Sequence, residues 1–423
     1  MKVYKFGGAS VKDASGVRNL AKIVGDCRGG LFMVVSAMGK TTNALERVLE
    51  SFYAGHTGEA VVGMQKIVDY HAEITQGLWG EPHLPDRVRD FYEELEAVIT
   101  TENPHSRSYE EWYDRIVSFG ELISTAIVSE YLNNRGISNR WVDMRRLFVT
   151  SARHRDANID IERSTPLLLS AVGIGPEQIV IGQGFIGATP EGAPTTIGRE
   201  GSDYSAAVAG AILSAESVSI WKDVEGILSG DPKLFHDAQY IPQLTYLDAI
   251  ELAYSGAQII HPKTIKPLQN KGIPLYVKCF LDSTKPGSVI CAHTDAPISV
   301  PILIVKHNQT LLTIKPEDFS FVLEERMAQI FAILEQFGVK ANLVQNSAIS
   351  LDISIDSTRY MEQIVEAFHS AGFTVNYNTD MELLTIRGYT PKQHTLYADA
   401  EGVYLTQRSR RVLRVVRKAA EGR

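Results

Sequence analysis

Cysteine is scarce in this 423-residue chain: Cys27, Cys279 and Cys291 are its three, scattered and odd in number. That excludes a disulfide framework and a thiolate zinc site, and it favours a reducing compartment. No apolar run approaches the ~18 residues that would cross a bilayer, and the N-terminus has no signal-peptide core. The expectation is a cytoplasmic protein with no membrane partner. Basic charge is not in surplus either. Lys and Arg number 42 against 50 Asp and Glu, a formal net charge of -8, which argues against nucleic acid yet permits a locally basic pocket for small anions. What remains is an ordinary globular composition, 44% hydrophobic and 22% charged, with length enough for about two or three domains.

The first informative stretch is Lys5-Phe6-Gly7-Gly8-Ala9-Ser10, where an apolar strand from Val3 meets paired glycines and then a helical pattern over Val17–Val24. Glycines at such a corner bring backbone N–H groups close to an anion, a helix N-terminus adds its dipole, and Lys5 supplies a mobile charge. A phosphate cradle and a plain strand-turn-helix both fit. The spacing is neither that of a P-loop nor that of a dinucleotide fingerprint. Leu31–Ser36 reads as a buried strand ending in the small, hydroxylated run Ala37-Met38-Gly39-Lys40-Thr41-Thr42-Asn43, the place where open α/β sheets hold ligands. Helical patterns cover 58–101, with His71 as a packing residue, and 109–132, expected as one long helix. The latter contains Ser118-Phe119-Gly120-Glu121. A glycine inside a helix costs about 1 kcal/mol against alanine, so Gly120 suggests a close approach beside Glu121.

Further strands are expected at 140–149, where Asp143 and Arg145 can pair, at 179–186, at 218–222 and at 274–279. Between them lie Thr195-Thr196-Ile197-Gly198-Arg199-Glu200-Gly201-Ser202-Asp203-Tyr204 and a small-residue helix over 205–213, for which Ser202 and Asp203 read as caps. Alternating strands and helices argue for a mostly parallel sheet with helices on both faces. After a linker at 296–301 the texture changes to strands at 310–314, 319–322, 340–345, 349–355, 374–377 and 382–387 with helices at 326–337 and 359–371, the β-α-β-β-α-β ferredoxin-like order. The tail, 402–418, reads as a strand plus a basic helix whose arginines form a solvated face.

Seven of these motifs, in this order over most of residues 1–290, resemble the aspartate kinases of the amino-acid-kinase fold family: K-F-G-G-A-S, S-A-M-G-K-T-T-N, S-F-G-E, Q-G-F-I-G, T-T-I-G-R-E-G-S-D-Y, W-K-D-V-E-G-I with D-P-K, and G-A-Q-I-I-H-P. The resemblance implies an α/β catalytic domain over 1–295 and an α+β regulatory region of ACT modules over 300–423. One module would be 318–378; the other, 300–317 with 379–423, would be shortened by a helix and a strand. It implies transfer of a phosphoryl group from ATP, with Mg²⁺ carried on the nucleotide and no metal ligands in the chain, to the β-carboxylate of L-aspartate, the first step towards lysine, threonine and methionine. By resemblance Lys5 contacts the moving phosphoryl group and Asp203 orients it. Gly7, Gly8 and Ser10 cradle phosphates, and Thr42, Glu121, Arg199 and Ser202 bind aspartate. Lys222, Asp223, Leu228, Lys233 and Gln258 line the nucleotide site. Asn342 and Ser347, Ala348 and Ile349 lie near the usual effector strand, so lysine or threonine is the implied effector, and a homodimer or larger homo-oligomer is implied.

The residue types suit that chemistry. A carboxylate acceptor with a pKa near ~4 is already ionised, so no general base is needed, only cations and fixed donors that bring two anions into line. Four positions depart from the family pattern: Ala9 for Thr, Glu200 for Gly, Leu228 for Tyr and Gln258 for Lys. If position 200 needs a positive φ, glutamate costs roughly 1–2 kcal/mol there, and its charge must point away from the phosphates. Two other readings remain open, a kinase of another amino acid such as glutamate and a degenerate effector-binding partner.

Overall fold

The computed structural model describes residues 1–173, 178–257, 260–295, 298–318 and 321–419. The chain forms two compact units, the first from Met1–Ile227, Pro242–Ile250 and Ile260–Asp295, the second from Leu228–Ile241, Glu251–Ile259 and Ala296–Arg423. In chain order the first begins with β1 (Lys2–Phe6), α1 (Ala14–Gly25), β2 (Leu31–Val35), α2 (Thr41–Tyr53), α3 (Thr57–Trp79), α4 (Asp86–Thr101), α5 (Tyr109–Val117) and α6 (Phe119–Asn134). There follow β3 (Asn139–Trp141), α7 (Ile161–Val172), β4 (Ile179–Gln183), the hairpin β5 (Ile186–Ala188) and β6 (Pro194–Thr196), α8 (Gly201–Ile212) and β7 (Ser217–Lys222). Then come the short β8 (Ile227–Leu228) and β9 (Tyr240–Ile241), which from Leu228 on belong to the second unit, β10 (Gln243–Thr245), α9 (Tyr246–Tyr254), which passes into the second unit at Glu251, and, back in the first, α10 (Pro262–Gln269), β11 (Leu275–Cys279) and β12 (Ser288–Cys291).

Eight of these strands form one sheet in the order β10-β12-β11-β7-β1-β2-β4-β3. Every pairing is parallel except β11 with β12. The five residues of β2, Leu-Phe-Met-Val-Val, are all buried, the continuous apolar run that a strand covered on both faces requires. The small residues of α8 let it lie close to the sheet: a Cβ on Gly210 would stand 2.5 Å from a Val218 methyl. The expected single helix over 109–132 is instead two, α5 and α6. Between them Ser118 donates its hydroxyl to the Arg115 carbonyl (2.9 Å), and the backbone hydrogen bonds on either side lengthen to 3.3 Å. A serine that competes for helix carbonyls bends the rod there. The strand expected at 140–149 shortens to β3 and a 3₁₀ turn at Met144–Arg146, held by the Asp143–Arg145 pair (2.8 Å). His71 is fully buried, with Nδ1 2.7 Å from the Tyr92 hydroxyl.

The second unit carries β13 (Ile302–Pro316), α11 (Glu324–Gln336), β14 (Ala341–Asn346), β15 (Leu351–Asp356), α12 (Met361–Ser370), β16 (Phe373–Arg387), α13 (Pro391–Ala398), β17 (Val403–Arg408) and β18 (Val412–Lys418). They make a six-stranded antiparallel sheet ordered β14-β15-β13-β16-β18-β17. Leu312, Ile314, Ile330, Ile364, Phe368 and Phe373 form one core beneath α11 and α12. The strands β13 and β16 serve both halves of the sheet, and their pairing shifts register between Lys306 and Leu311. Residues 374–377 and 382–387 are therefore one strand rather than two. Phe321–Leu323 is irregular; Phe319 and Ser320 of the strand expected there lie outside the described residues.

The basic helix expected in the tail is β18. Leu413 and Val415 enter a core with Leu384 and Ile386, Val416 enters another on the opposite side with Leu383, and Arg417 pairs across the ladder with Glu382 (2.6 Å). A strand buried on both faces mimics helical spacing, because its apolar residues need not alternate. The tail thus supplies two strands, and the portion 300–317 with 379–423 has four strands and one helix. Among the described residues it lacks a helix but not the strand expected to be missing.

Candidate active site

Register places the ligand-facing edge. Phe6 sits level with Val35 on one side and Trp221 on the other, and Val35 sits level with Gln183. Four neighbouring parallel strands therefore end in one row, and the loops that leave them share the carboxyl edge of the sheet. The chain passes from β1 to β2 on one side and returns to β7 on the other, the topological switch at which open α/β sheets hold ligands.

The loop after β1 and the loop after β2 are bonded together. Gly39 N–H donates to the Gly8 carbonyl (3.0 Å) and Ser36 N–H to the Phe6 carbonyl (3.1 Å). A Cβ on Gly8 would lie 2.5 Å from the Ala37 carbonyl oxygen, so only glycine fits. The Lys5 side chain lies over Gly7, its Nζ 3.4 Å from where a Cβ would be. That ammonium is 2.6 Å from Asp203 Oδ1, and Lys222 Nζ is 3.8 Å from Oδ2. Asp203 is 4% exposed. Burial alone would push its carboxyl up, but the two lysine charges outweigh that and hold it below the usual carboxylate range.

Ser202 and Asp203 are not caps, as the sequence suggested; α8 begins at Gly201, so both sit in its first turn, with Glu200 at the N-cap position. Glu200 does adopt a positive φ (+55°), and its carboxylate accepts the His261 N–H (3.0 Å). Gly184 packs on Ser202, with a virtual Cβ 2.5 Å from its side chain. Phe185, itself at φ +69°, donates its N–H to Ser205 Oγ (3.0 Å) and accepts from Ile197 N–H (2.8 Å). The Q-G-F and R-E-G-S-D segments thus interlock.

Glu121 lies in the first turn of α6 and is 3% exposed. Its Oε1 accepts the Ala37 N–H (3.1 Å), while Oε2 has no hydrogen-bond partner. Burial pushes its carboxyl up to about 8. Gly120 has the expected close approach: a Cβ there would stand 3.0 Å from that of Ala37. Thr42 is half-buried in the first turn of α2, beside Thr41, whose hydroxyl donates to the Met38 carbonyl (2.7 Å). Arg199 is exposed, and among the described residues it makes no ion pair.

The structure brings together Lys5, Gly7, Gly8, Asp203 and Lys222. Ser10 is buried next to them in sequence, its N–H donating to the Gly7 carbonyl (2.9 Å), and Asp223 is exposed just beyond β7. Leu228 and Lys233 belong to the second unit, half-buried and exposed respectively; Gln258 lies outside the described residues. Asn342, in β14, is already committed: its amide oxygen accepts Lys306 Nζ (2.7 Å) and its NH₂ donates to Gln309 (2.8 Å) and Asp356 (3.0 Å). Ser347, Ala348 and Ile349 form the turn from β14 to β15, with Ser347 Oγ accepting from Ser350 N–H (3.1 Å). Among the described residues no group of three or more His, Cys, Asp or Glu side chains is placed to hold a metal.

One participant escaped the sequence reading. Asp114 of α5 has 0% exposure and accepts hydrogen bonds from Thr196 Oγ1 (2.5 Å) and Arg155 N–H (3.1 Å), with His154 Nδ1 at 2.7 Å. Nothing in Y-E-E-W-Y-D-R signals it beyond an aspartate where the helical stripe calls for an apolar residue.

A buried carboxylate clamping a lysine over a glycine turn, at the carboxyl edge of this sheet, is an arrangement suited to a small anionic group. The sequence model of the Amino acid kinase family matches residues 1–279, and the chain belongs to that family. Within it the chain falls among the aspartokinases. It is 33% identical to lysine-sensitive aspartokinase 3 of Escherichia coli over 84% of this chain and 78% of that one. With the aspartokinase of Chlamydia trachomatis it shares 29% identity over 91% and 86% of the two chains. Of the chloroplastic aspartokinase 1 of Arabidopsis thaliana, 30% identical, it spans only 63%. Its fold matches the crystal structure of E. coli aspartokinase III with aspartate and ADP at a TM-score of 0.81 and 27% identity, covering 99% of this chain and 96% of that one. The same enzyme with lysine and aspartate matches at 0.80.

Proposed function

We propose that this site transfers the γ-phosphoryl group of ATP to the β-carboxylate of L-aspartate, giving 4-phospho-L-aspartate. The observation that carries the reading is the Lys5–Asp203–Lys222 cluster over the Gly7-Gly8 turn. Two ammonium groups against one carboxylate leave a net positive charge where the polyphosphate and the attacking carboxylate, both anionic, must meet. Lys5, held at 2.6 Å by Asp203, is fixed before substrate arrives, so little reorganisation is needed as charge moves onto the transferring oxygens. Gly7 and Gly8 leave their backbone open to phosphate. Mg²⁺ carried on the nucleotide would neutralise further charge, and Asp203 is already taken up by its lysines. Glu121 Oε2, buried and unpartnered, receives the α-ammonium, and the exposed Arg199 clamps the α-carboxylate with Thr42 and Ser202 beside it. Lys222 and Asp223 extend the site towards the nucleotide.

For regulation, the relative crystallised with lysine supports an amino-acid effector, and our reading places its action in the second unit. The Asn342 amide, already bonded to Lys306 and Asp356, would have to exchange partners to serve it. Trapping the acyl phosphate with hydroxylamine in the presence of ATP and Mg²⁺ tests the activity. Hydroxamate formed from aspartate and not from glutamate is the expected result; preference for glutamate would overturn the assignment.

A further inference from the structure

We propose that Asp114 is a positioning residue for the amino-acid substrate, holding the segment that bears Arg199 in register with the helix that bears Glu121. The proposal rests on the assignment of those two residues to aspartate. Asp114 lies seven residues before Glu121 on the bent α5–α6 rod, about 10 Å along a helix axis. It is wholly buried, yet its two oxygens tie its own helix to two other parts of the chain. The first is the 154–155 turn, where Arg155 takes a positive φ (+64°) and presents its N–H while His154 presents Nδ1. The second is β6, through Thr196 Oγ1.

β6 is then fixed from both sides. Ala157 N–H donates to the Thr196 carbonyl (3.0 Å), and the Thr150 and Thr195 hydroxyls meet at 2.6 Å. Three residues beyond Thr196 stands Arg199. The turn between them passes Gly198 so close to the 155–156 backbone that a Cβ would lie 3.0 Å from the Arg155 carbonyl oxygen. A buried carboxylate is a poor choice for stability alone, since apolar packing of the same volume does as well or better. What it supplies is directional, multi-point registry. The two groups that read the charged ends of the substrate therefore share one anchor, while the phosphate cradle on β1 and β7 has none of its bonds.

Thr196→Val removes the hydroxyl with little change of shape, and Thr196→Ser keeps it. In wild-type background the hydroxamate assay must first show aspartate turnover; its failure there refutes the functional assignment, whatever the variants do. Given turnover, Thr196→Val should raise KM for aspartate by about tenfold, as loss of a hydrogen bond to a charged group implies. KM for ATP should stay close to wild type, the melting midpoint should fall by the few degrees that loss of a buried hydrogen bond to a carboxylate costs, and Thr196→Ser should restore both the midpoint and the aspartate KM. Asp114→Asn should act in the same direction and more strongly. The proposal is overturned if Thr196→Val leaves KM for aspartate unchanged, if it raises both KM values together, or if Thr196→Ser fails to rescue it.

Discussion

On the proposed assignment of Glu121 to the α-ammonium, substrate binding is linked to a proton. Without substrate, burial pushes its carboxyl, with Oε2 unpartnered, up to about 8, so at neutral pH most molecules carry it protonated. An α-ammonium placed against it favours the ionised form, and the bound state must titrate well below neutrality. Binding at pH 7 then releases close to one proton. One pH unit below 8, the shortfall of ionised carboxylate weakens binding about elevenfold, or ~1.4 kcal/mol. Between pH 6 and pH 8 KM for aspartate should fall roughly fifty-fold and then level off, with KM for ATP as the internal control. Calorimetric titration of aspartate in two buffers of different ionisation enthalpy reads the released proton directly. Glu121→Gln should abolish the pH slope and leave KM high throughout. A wild-type KM for aspartate that is flat from pH 6 to 8, with no proton released, would refute the reasoning. The same group predicts a stability slope: between the unfolded value of about 4.5 and the folded value of about 8 the native state holds a proton that the unfolded chain has lost. Stability of the free protein should therefore fall as pH rises through that window, and saturating aspartate should remove the fall.

Lys5→Met should lower kcat by at least about a hundredfold, the usual worth of one donor at the reacting oxygens; single-turnover assays check this, and an unchanged rate would refute its role. Glu200→Ala keeps a side chain at positive φ but loses the bond to His261, and should cost about 1 kcal/mol in urea unfolding. Glu200→Gly also loses that bond but relieves the left-handed strain of roughly 1 kcal/mol, so the glycine variant should unfold at higher urea than the alanine one; equal midpoints would refute strain at this position. His71 is buried and its pKa is lowered to about 4 by desolvation. Its contribution to stability is present above the unfolded value near 6.5 and is lost as pH falls towards 4, by about 3 kcal/mol in total. His71→Gln should flatten that part of the acid-unfolding curve, and an unchanged curve would show that another group governs it.

Local signals carried much of this. Glycine pairs, a lysine at a strand end and apolar runs of strand length are short-range features, and they located the glycine turn of Gly7 and Gly8, the strand β2 and the close approach at Gly120. The positive φ of Glu200 was raised only by the resemblance, whose pattern has glycine at that position. What local pattern could not supply was the outcome of competition. Ser118 has ordinary helical neighbours, and its side-chain bond to the Arg115 carbonyl, at the junction of α5 and α6, is not a pattern that apolar periodicity shows. The tail residues Val412, Val415 and Val416 have helical spacing, but three-dimensional context gives each a different wall of a sheet, and the ladder to β16 decides for strand. Asp114 was invisible for the same reason. Its partners lie 40, 41 and 82 residues away, so no window of sequence contains the site it organises.

The same contrast bears on how specificity is built. On the proposed assignment, the phosphate half of the site is made of elements the sheet itself fixes: Lys5 and Lys222 sit on strands whose backbone register is set by their neighbours, and the glycine turn needs only backbone. Any anionic acceptor with a nucleotide meets those requirements. The amino-acid half is made of a helix turn, Glu121, and a loop arginine, Arg199, that no strand pairing holds together. Discrimination by one methylene in the acceptor is worth only about 1–3 kcal/mol, and it demands that the two charge-reading groups keep a fixed separation. A buried carboxylate that ties helix to loop meets that demand, and an unpartnered Glu121 oxygen left buried in the empty site penalises any occupant that does not satisfy it. On that assignment, selectivity for aspartate over a longer homologue would reside in the spacing between α6 and the 195–200 segment, and substitutions that loosen it should relax acceptor choice before they slow phosphoryl transfer.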